Sequence, residues 1–254
     1  MNKATLESVI KKYYLSGLVE TSIWKVLDDK KLLKIGACTP NFVLSIVVDV
    51  ANFTELSANE FAVSDTSKLL KMTGVLDDDV KFALNKDNNG KITSVLMTST
   101  GVEMQYVTAD ITVLRANKAV QTWNKPDPEY EVEIIIDKDF IDTYTRSKSA
   151  LSDSEYVVFQ MNADNKLEMV FGYVQGGNKS LNTSKIKYQP KTNAGKDKLP
   201  MSLGYNADYL KEILSANKDA ENAILQLSSA TLAHMKCSQG DVTINYHMRG
   251  IVIK

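Results

Sequence analysis

The chain has 254 residues, of which 44% are hydrophobic and 24% charged, and 30 basic side chains against 31 acidic ones leave a formal net charge of −1. That balance excludes a protein coated in positive charge, but not one that gathers Lys and Arg on a single face. No apolar run approaches the ~20 residues of a membrane helix, and Glu7 falls where a signal peptide would have its apolar core, so a cytoplasmic, non-membrane protein is expected.

In chain order, apolar Leu6, Val9, Ile10 and Tyr13 recur at helical spacing and predict a helix over Thr5–Leu15, with Thr5 as its N-cap. β-rich runs predict strands at Ser22–Leu27, Lys31–Ala37 and Val43–Val50. A short helix over Thr66–Thr73 stops at Gly74, a normal C-cap residue. Strands follow at Val80–Leu84, Thr93–Ser99 and Val102–Thr108. Leu114–Glu129 ends in Lys125-Pro126-Asp127-Pro128, where two prolines forbid helix and interrupt pairing, so it reads as a connector. Beyond it come a strand at Val132–Ile136, a helix at Lys138–Ser149, and strands at Tyr156–Met161, Lys166–Tyr173 and Ser184–Tyr188. A helix at Ala207–Ala216 precedes the last strands, Ile224–Ser228, Leu232–Cys237 and Val242–Met248.

The second half copies the first. Val9-Ile10 with Tyr13 matches Phe140-Ile141 with Tyr144; Leu32-Leu33 matches Leu167-Glu168; Leu69 matches Leu210; Tyr106 matches Tyr246. The spacing between matched residues mostly widens and then settles, as small insertions in the second copy would produce. Gly176–Lys179 and Lys191–Lys198 are where those insertions fall.

Catalytic and metal motifs are absent from the sequence. Asn85–Gly90 imitates the start of a calcium loop, but Leu96 stands where the bidentate Glu belongs, and a hairpin turn is the better reading. Cys38 and Cys237 lie far apart and read as reduced, buried thiols. His234 and His247 fall on neighbouring strands, with no third ligand or partnered acid at suitable spacing, so neither a metal nor another cofactor is expected. No nucleophile elbow, phosphate-cradling loop or HExxH appears, and Gly176-Gly177 lacks the helix a phosphate loop requires. No catalytic residue is assigned and no enzyme is expected.

Helix, strands, helix, strands, repeated once at this length, resembles the bacteriophage DNA polymerase sliding clamps and, more distantly, proliferating cell nuclear antigen of archaea and eukaryotes. The likeness is one of repeat plan and segment order. It is strongest in Phe61–Lys71, in Asp77-Asp78-Asp79 with the strand pair running to Asp110, and in Tyr205–Asn217. The chain departs from the cellular clamps in its longer second copy and in its ending, Arg249-Gly-Ile-Val-Ile-Lys254. The resemblance implies an α+β DNA clamp fold of two repeated domains, residues 1–113 and 130–254, joined by a connector at 114–129. Each domain would pack two helices on antiparallel sheets. It further implies a homotrimer closed head to tail into a ring around double-stranded DNA, opened by a clamp loader and tethering the replicative polymerase, in the host cytoplasm if the protein is viral.

A ring that slides must attract phosphates without gripping bases, so Lys and Arg are expected on helix faces opposite the apolar stripes. Lys3, Lys11 and Lys12 in the first helix region, Lys68 and Lys71 in the second, Arg146 and Lys148 in the third, and Lys211 with Lys218 in the fourth are the candidates. Family clamps bind partner peptides in an apolar groove bordered by the connector and the tail, which here supply Leu114, Val120, Trp123, Ile251, Val252 and Ile253. Two other readings stay open. One is a monomeric or dimeric clamp-like processivity factor with an open DNA-binding face; the other is a β-rich phage structural subunit with no DNA role.

Overall fold

Asn or Asp starts every major helix. Among the described residues five α-helices form, α1 (Lys3–Tyr14), α2 (Thr66–Thr73), α3 (Ile111–Ala116), α4 (Lys138–Ala150) and α5 (Ala207–Ala216). Asn2, Asp65, Asp137 and Asn206 each accept a hydrogen bond from the backbone N–H three residues on, at 2.7, 2.7, 2.8 and 2.9 Å, which satisfies an otherwise orphaned donor of α1, α2, α4 and α5. The cap of α1 is therefore Asn2 rather than Thr5, whose own N–H is the capped group.

The structure, a computed structural model, describes residues 1–57, 59–116, 120, 125–174, 179–188, 199 and 201–253. Two units divide the chain, Met1–Trp123 with Gly240–Ile244, and Asn124–Gln239 with Asn245–Lys254. In the first, β1 (Ser22–Leu27), β2 (Leu32–Cys38), β3 (Leu44–Val50) and β4 (Asn59–Val63) are ordered β4-β1-β2-β3, and β5 (Lys81–Lys86), β6 (Ile92–Ser99) and β7 (Val102–Val107) are ordered β5-β6-β7. The rest of the chain forms β8 (Val132–Ile135), β9 (Tyr156–Met161), β10 (Leu167–Tyr173), β11 (Lys179–Tyr188), β12 (Ser202–Asn206), β13 (Asn222–Ser228), β14 (Leu232–Gln239), β15 (Val242–Arg249) and β16 (Ile251–Ile253). Their orders are β11-β10-β9-β12-β16 and β15-β14-β13-β8. The order β12-β9-β10-β11 reproduces β4-β1-β2-β3, and β13-β14-β15 reproduces β5-β6-β7. The duplication seen in sequence is thus a duplication of topology, with β8 and β16 added to the second copy.

Period-2 alternation places the core: Leu44, Ile46, Val48 and Val50 of β3 are buried while the residues between them are not. Leu6, Val9, Ile10 and Tyr13 of α1 are all but inaccessible, and α1 lies beside α2 as α4 lies beside α5. Tyr13 lies against Thr66, the first residue of α2, and Tyr144 donates to the carbonyl of Ala207, the first residue of α5, at 2.9 Å. The matched tyrosines lie at matched helix starts, and in the second copy the contact is a hydrogen bond.

Several elements were not foreseen. β4, β12 and β16 are short, and β12 contains Gly204; each exists because a distant partner strand supplies its hydrogen bonds. α3 begins within what read as strand-to-connector sequence, because Asp110 accepts from the N–H groups of Thr112 and Val113 at 2.8 and 3.3 Å. The Asn85–Gly90 region is the expected hairpin turn: Asp87 accepts from the backbone of Asn89 and Lys91, each at 2.9 Å, and Gly90 takes φ +78°. Gly176-Gly177 and Lys191–Lys198 lie outside the described residues. Among the described residues no helix is long and apolar enough to cross a membrane.

Gly172 in β10 has φ +104°, and a Cβ there would come within 2.3 Å of the Asn182 carbonyl oxygen. Gly172→Ala combines left-handed strain with a backbone clash, so it is expected to cost about 2–4 kcal/mol and lower the thermal midpoint by roughly 5–10 °C. Scanning calorimetry reads this directly, and an unchanged midpoint would contradict the β10–β11 geometry.

Candidate nucleic-acid interface

The helices of the first unit carry an open basic surface. Lys68 and Lys71 are exposed and, three residues apart, share one face of α2. The Lys11 side chain is 56% exposed and pairs with Glu7 at 3.0 Å, an i,i+4 contact worth about 0.3–0.5 kcal/mol that a phosphate can displace. Lys3 donates to the carbonyl of Gly74 at 2.8 Å, so its ammonium sits on the negative end of α2.

Lys12 and Lys148 do not take the outward positions expected of them: they are 2% and 4% exposed. Lys148 continues the inward Phe140–Tyr144 stripe at i+4, which explains its burial. Its ammonium donates to the Ser152 carbonyl at 2.8 Å and pairs with Asp208 at 3.0 Å. Lys12 lies three residues after Val9 and beside Tyr13, so its stem runs along the packed side. Arg146 and Lys218 are exposed and Lys211 is half-buried.

The two helix pairs differ in charge. α1 and α2 carry Lys3, Lys11, Lys12, Lys68 and Lys71 against Glu7 alone, whereas α4 and α5 set Lys138, Arg146, Lys148 and Lys211 against Asp139, Asp142, Asp208 and Glu212. Chemically, such exposed ammonium groups can neutralise phosphates by counterion release without reading bases.

Of the residues assigned to partner binding, Ile251 and Ile253 are used internally. β16 pairs with β12, and both side chains pack on Val158 and Val170; Val252, on the opposite face, is 45% exposed. Leu114 is half-buried in α3. Val120 lines a cavity of about 220 Å³ with Ile23, Lys25, Lys34, Gly36, Glu60 and Arg115. Trp123 lies outside the described residues.

A second constellation was missed. Sequence spacing offered His234 and His247 no third ligand, yet the connector brings Asp127 to both: its Oδ1 lies 3.2 Å from His247 Nε2 and its Oδ2 3.9 Å from His234 Nδ1. The imidazoles stack with centroids 4.4 Å apart and planes within 4°, and each histidine is 8% exposed. Burial, followed by the neighbouring His234, pushes His247 down to about 4, although Asp127 acts in the opposite sense. Tyr130 lies 5.7 Å from the His234 ring, and burial and then Asp127 push its phenol upward.

The strand orders and helix pairs define a clamp-type α+β fold, that of proliferating cell nuclear antigen (PCNA), over the full chain. No protein-family model and no curated protein matches the sequence. Among solved structures, one of the C-terminal region of FEN-1 bound to A. fulgidus PCNA matches with a TM-score of 0.74 at 15% identity, covering 100% of this chain and 98% of that one. PCNA from Thermococcus kodakaraensis matches at 0.70 and 14%, covering 99% and 98%. Proliferating Cellular Nuclear Antigen from Entamoeba histolytica matches at 0.68 and 13%, covering 99% and 96%.

Proposed function

We propose that the protein is a DNA polymerase processivity factor of the sliding-clamp kind, a homotrimeric ring that encircles duplex DNA and tethers a replicative polymerase. The observation that carries this reading is the basic, outward-facing surface of α1 and α2 on a PCNA fold. Lys11, Lys68 and Lys71 are the phosphate-attracting residues, with Arg146, Lys211 and Lys218 as weaker contributors and Lys3 partly engaged at Gly74. Lys12 and Lys148, both buried, drop out. The segment-order resemblance is what supports a role in bacteriophage replication, with a loader to open the ring. Leu114 and Val120 of the first unit, and separately Val252 of the second, are the assigned partner-binding residues that are not used in internal packing.

Ring closure needs unlike edges, because head-to-tail contacts close only when one surface meets a different one. β7 lies at a sheet edge with Glu103 exposed and Val107 71% exposed. β11 is the outermost described strand of its sheet, with Lys185 and Lys187 exposed. An apolar, acidic edge facing a basic one suits strand addition between subunits.

The balanced charge of α4 and α5 favours a second reading, a monomeric or dimeric factor holding DNA against the first unit alone. Solution mass by light scattering separates the two: three copies are expected, and one or two remove the ring. Binding to duplex DNA that is indifferent to sequence and falls steeply with salt is expected as well; its absence at low salt would leave a structural subunit as the better account.

A further inference from the structure

We infer that Asp127, His234 and His247 form a binding site for a zinc-class divalent cation, which fastens the Pro126-Asp127-Pro128 end of the connector to β14 and β15. The donors suit such an ion. Two imidazole nitrogens and a carboxylate oxygen are ligands for zinc and its neighbours cobalt, nickel and copper, whereas magnesium and calcium prefer oxygen alone.

The spacing is close to what coordination requires. One ligand atom from each of the three residues lies within 4.8 Å of the others. Tetrahedral ligands about 2.0–2.1 Å from zinc sit roughly 3.4 Å from one another. The His247–Asp127 edge of 3.2 Å already fits and the His234–Asp127 distance of 3.9 Å is slightly open. The parallel rings require one imidazole to turn about its Cβ–Cγ bond so that both lone pairs converge.

The surroundings of His234 supply the independent argument. Its Nδ1 lies 3.2 Å from Gln226 Oε1 and its Nε2 lies 3.0 Å from Asn245 Oδ1. The Gln226 amide is oriented by donating its Nε2 to Glu133 at 3.0 Å, which turns its oxygen towards the imidazole. A neutral imidazole has a single N–H. Three oxygens face the two ring nitrogens, so in either neutral tautomer one nitrogen turns a lone pair towards oxygen; in the tautomer with Nε2–H donated to Asn245, Nδ1 faces both Gln226 Oε1 and Asp127 Oδ2. A cation seated there converts that repulsion into coordination, with Gln226 Oε1 at hand as a fourth ligand. Asn245 then plays the outer role typical of metal-bound histidine, fixing the tautomer through the distal nitrogen.

The test is titration of the chelator-treated full chain with zinc chloride by calorimetry, and with cobalt chloride by visible absorption. One zinc per chain is expected, with tetrahedral cobalt bands and a thermal midpoint raised by zinc but not by magnesium. Asp127→Asn, nearly isosteric, and His247→Ala are each expected to weaken zinc at least 10-fold, and the circular dichroism of each should match the parent. Absent heat and cobalt bands, or zinc binding unchanged in both variants, would overturn the site. A thermal midpoint that excess zinc leaves unchanged would do the same.

Discussion

A variant with Lys11, Lys68 and Lys71 all changed to Glu is expected to lose retention on duplex DNA at moderate salt while keeping its fold. The three side chains are exposed, so none contributes buried packing, and surface charge changes of this sort usually alter stability by no more than about 0.5 kcal/mol apiece. The effect on DNA is much larger. Each lysine that neutralises a phosphate contributes about one unit to the salt slope, so removing three flattens the slope of log affinity against log salt by about 3 for each subunit whose face engages the DNA. Reversing their sign adds repulsion, and a loss of roughly 100-fold or more is expected near physiological salt. Fluorescence anisotropy with a labelled duplex over a salt series measures both quantities. Equal retention by variant and parent would remove the α1–α2 face from the interface and leave the tethering role without its electrostatic basis.

Val107→Asp is expected to reduce the proposed ring to monomers at micromolar concentration. Val107 is among the most exposed large apolar side chains of the described residues, at 71%, and it sits at the end of β7, paired with Ser94 of β6. A carboxylate there costs the isolated subunit almost nothing because it stays in water. Within a strand-to-strand contact it must be desolvated, a penalty of about 2–5 kcal/mol per site unless a partner charge meets it. Light scattering at several concentrations reads the outcome. A mass unchanged from the parent would show that β7 is not a subunit edge.

Much of this architecture was legible because the signals were periodic. The alternation of Leu44, Ile46, Val48 and Val50 and the stripe of Leu6, Val9, Ile10 and Tyr13 depend only on near neighbours, and both became core. β4, β12 and β16 were not legible, because strands of three to five residues are made by partners such as β1 and β9 that are distant in sequence. Lys148 was readable in principle, since it falls at i+4 from Tyr144, but its charge outweighed its position in the reading. The Asp127 cluster had no local signal. It joins a connector residue to two strands more than a hundred residues on, and only the pairing of β13 with β14, which sets Gln226 opposite His234, brings the amide to the ring.

The hydrogen bond from Lys3 to Gly74 links the first turn of α1 to the residue that caps the C-terminal end of α2. Neither helix end can then fray without breaking a charge-assisted contact to the other, so their opening is coupled and should show as similar amide-exchange protection at both ends. The lysines they carry ride on one stiff raft. An ammonium group on such a raft gives up little backbone freedom when a phosphate arrives, and attraction on this face is governed by ionic strength rather than by ordering of the chain.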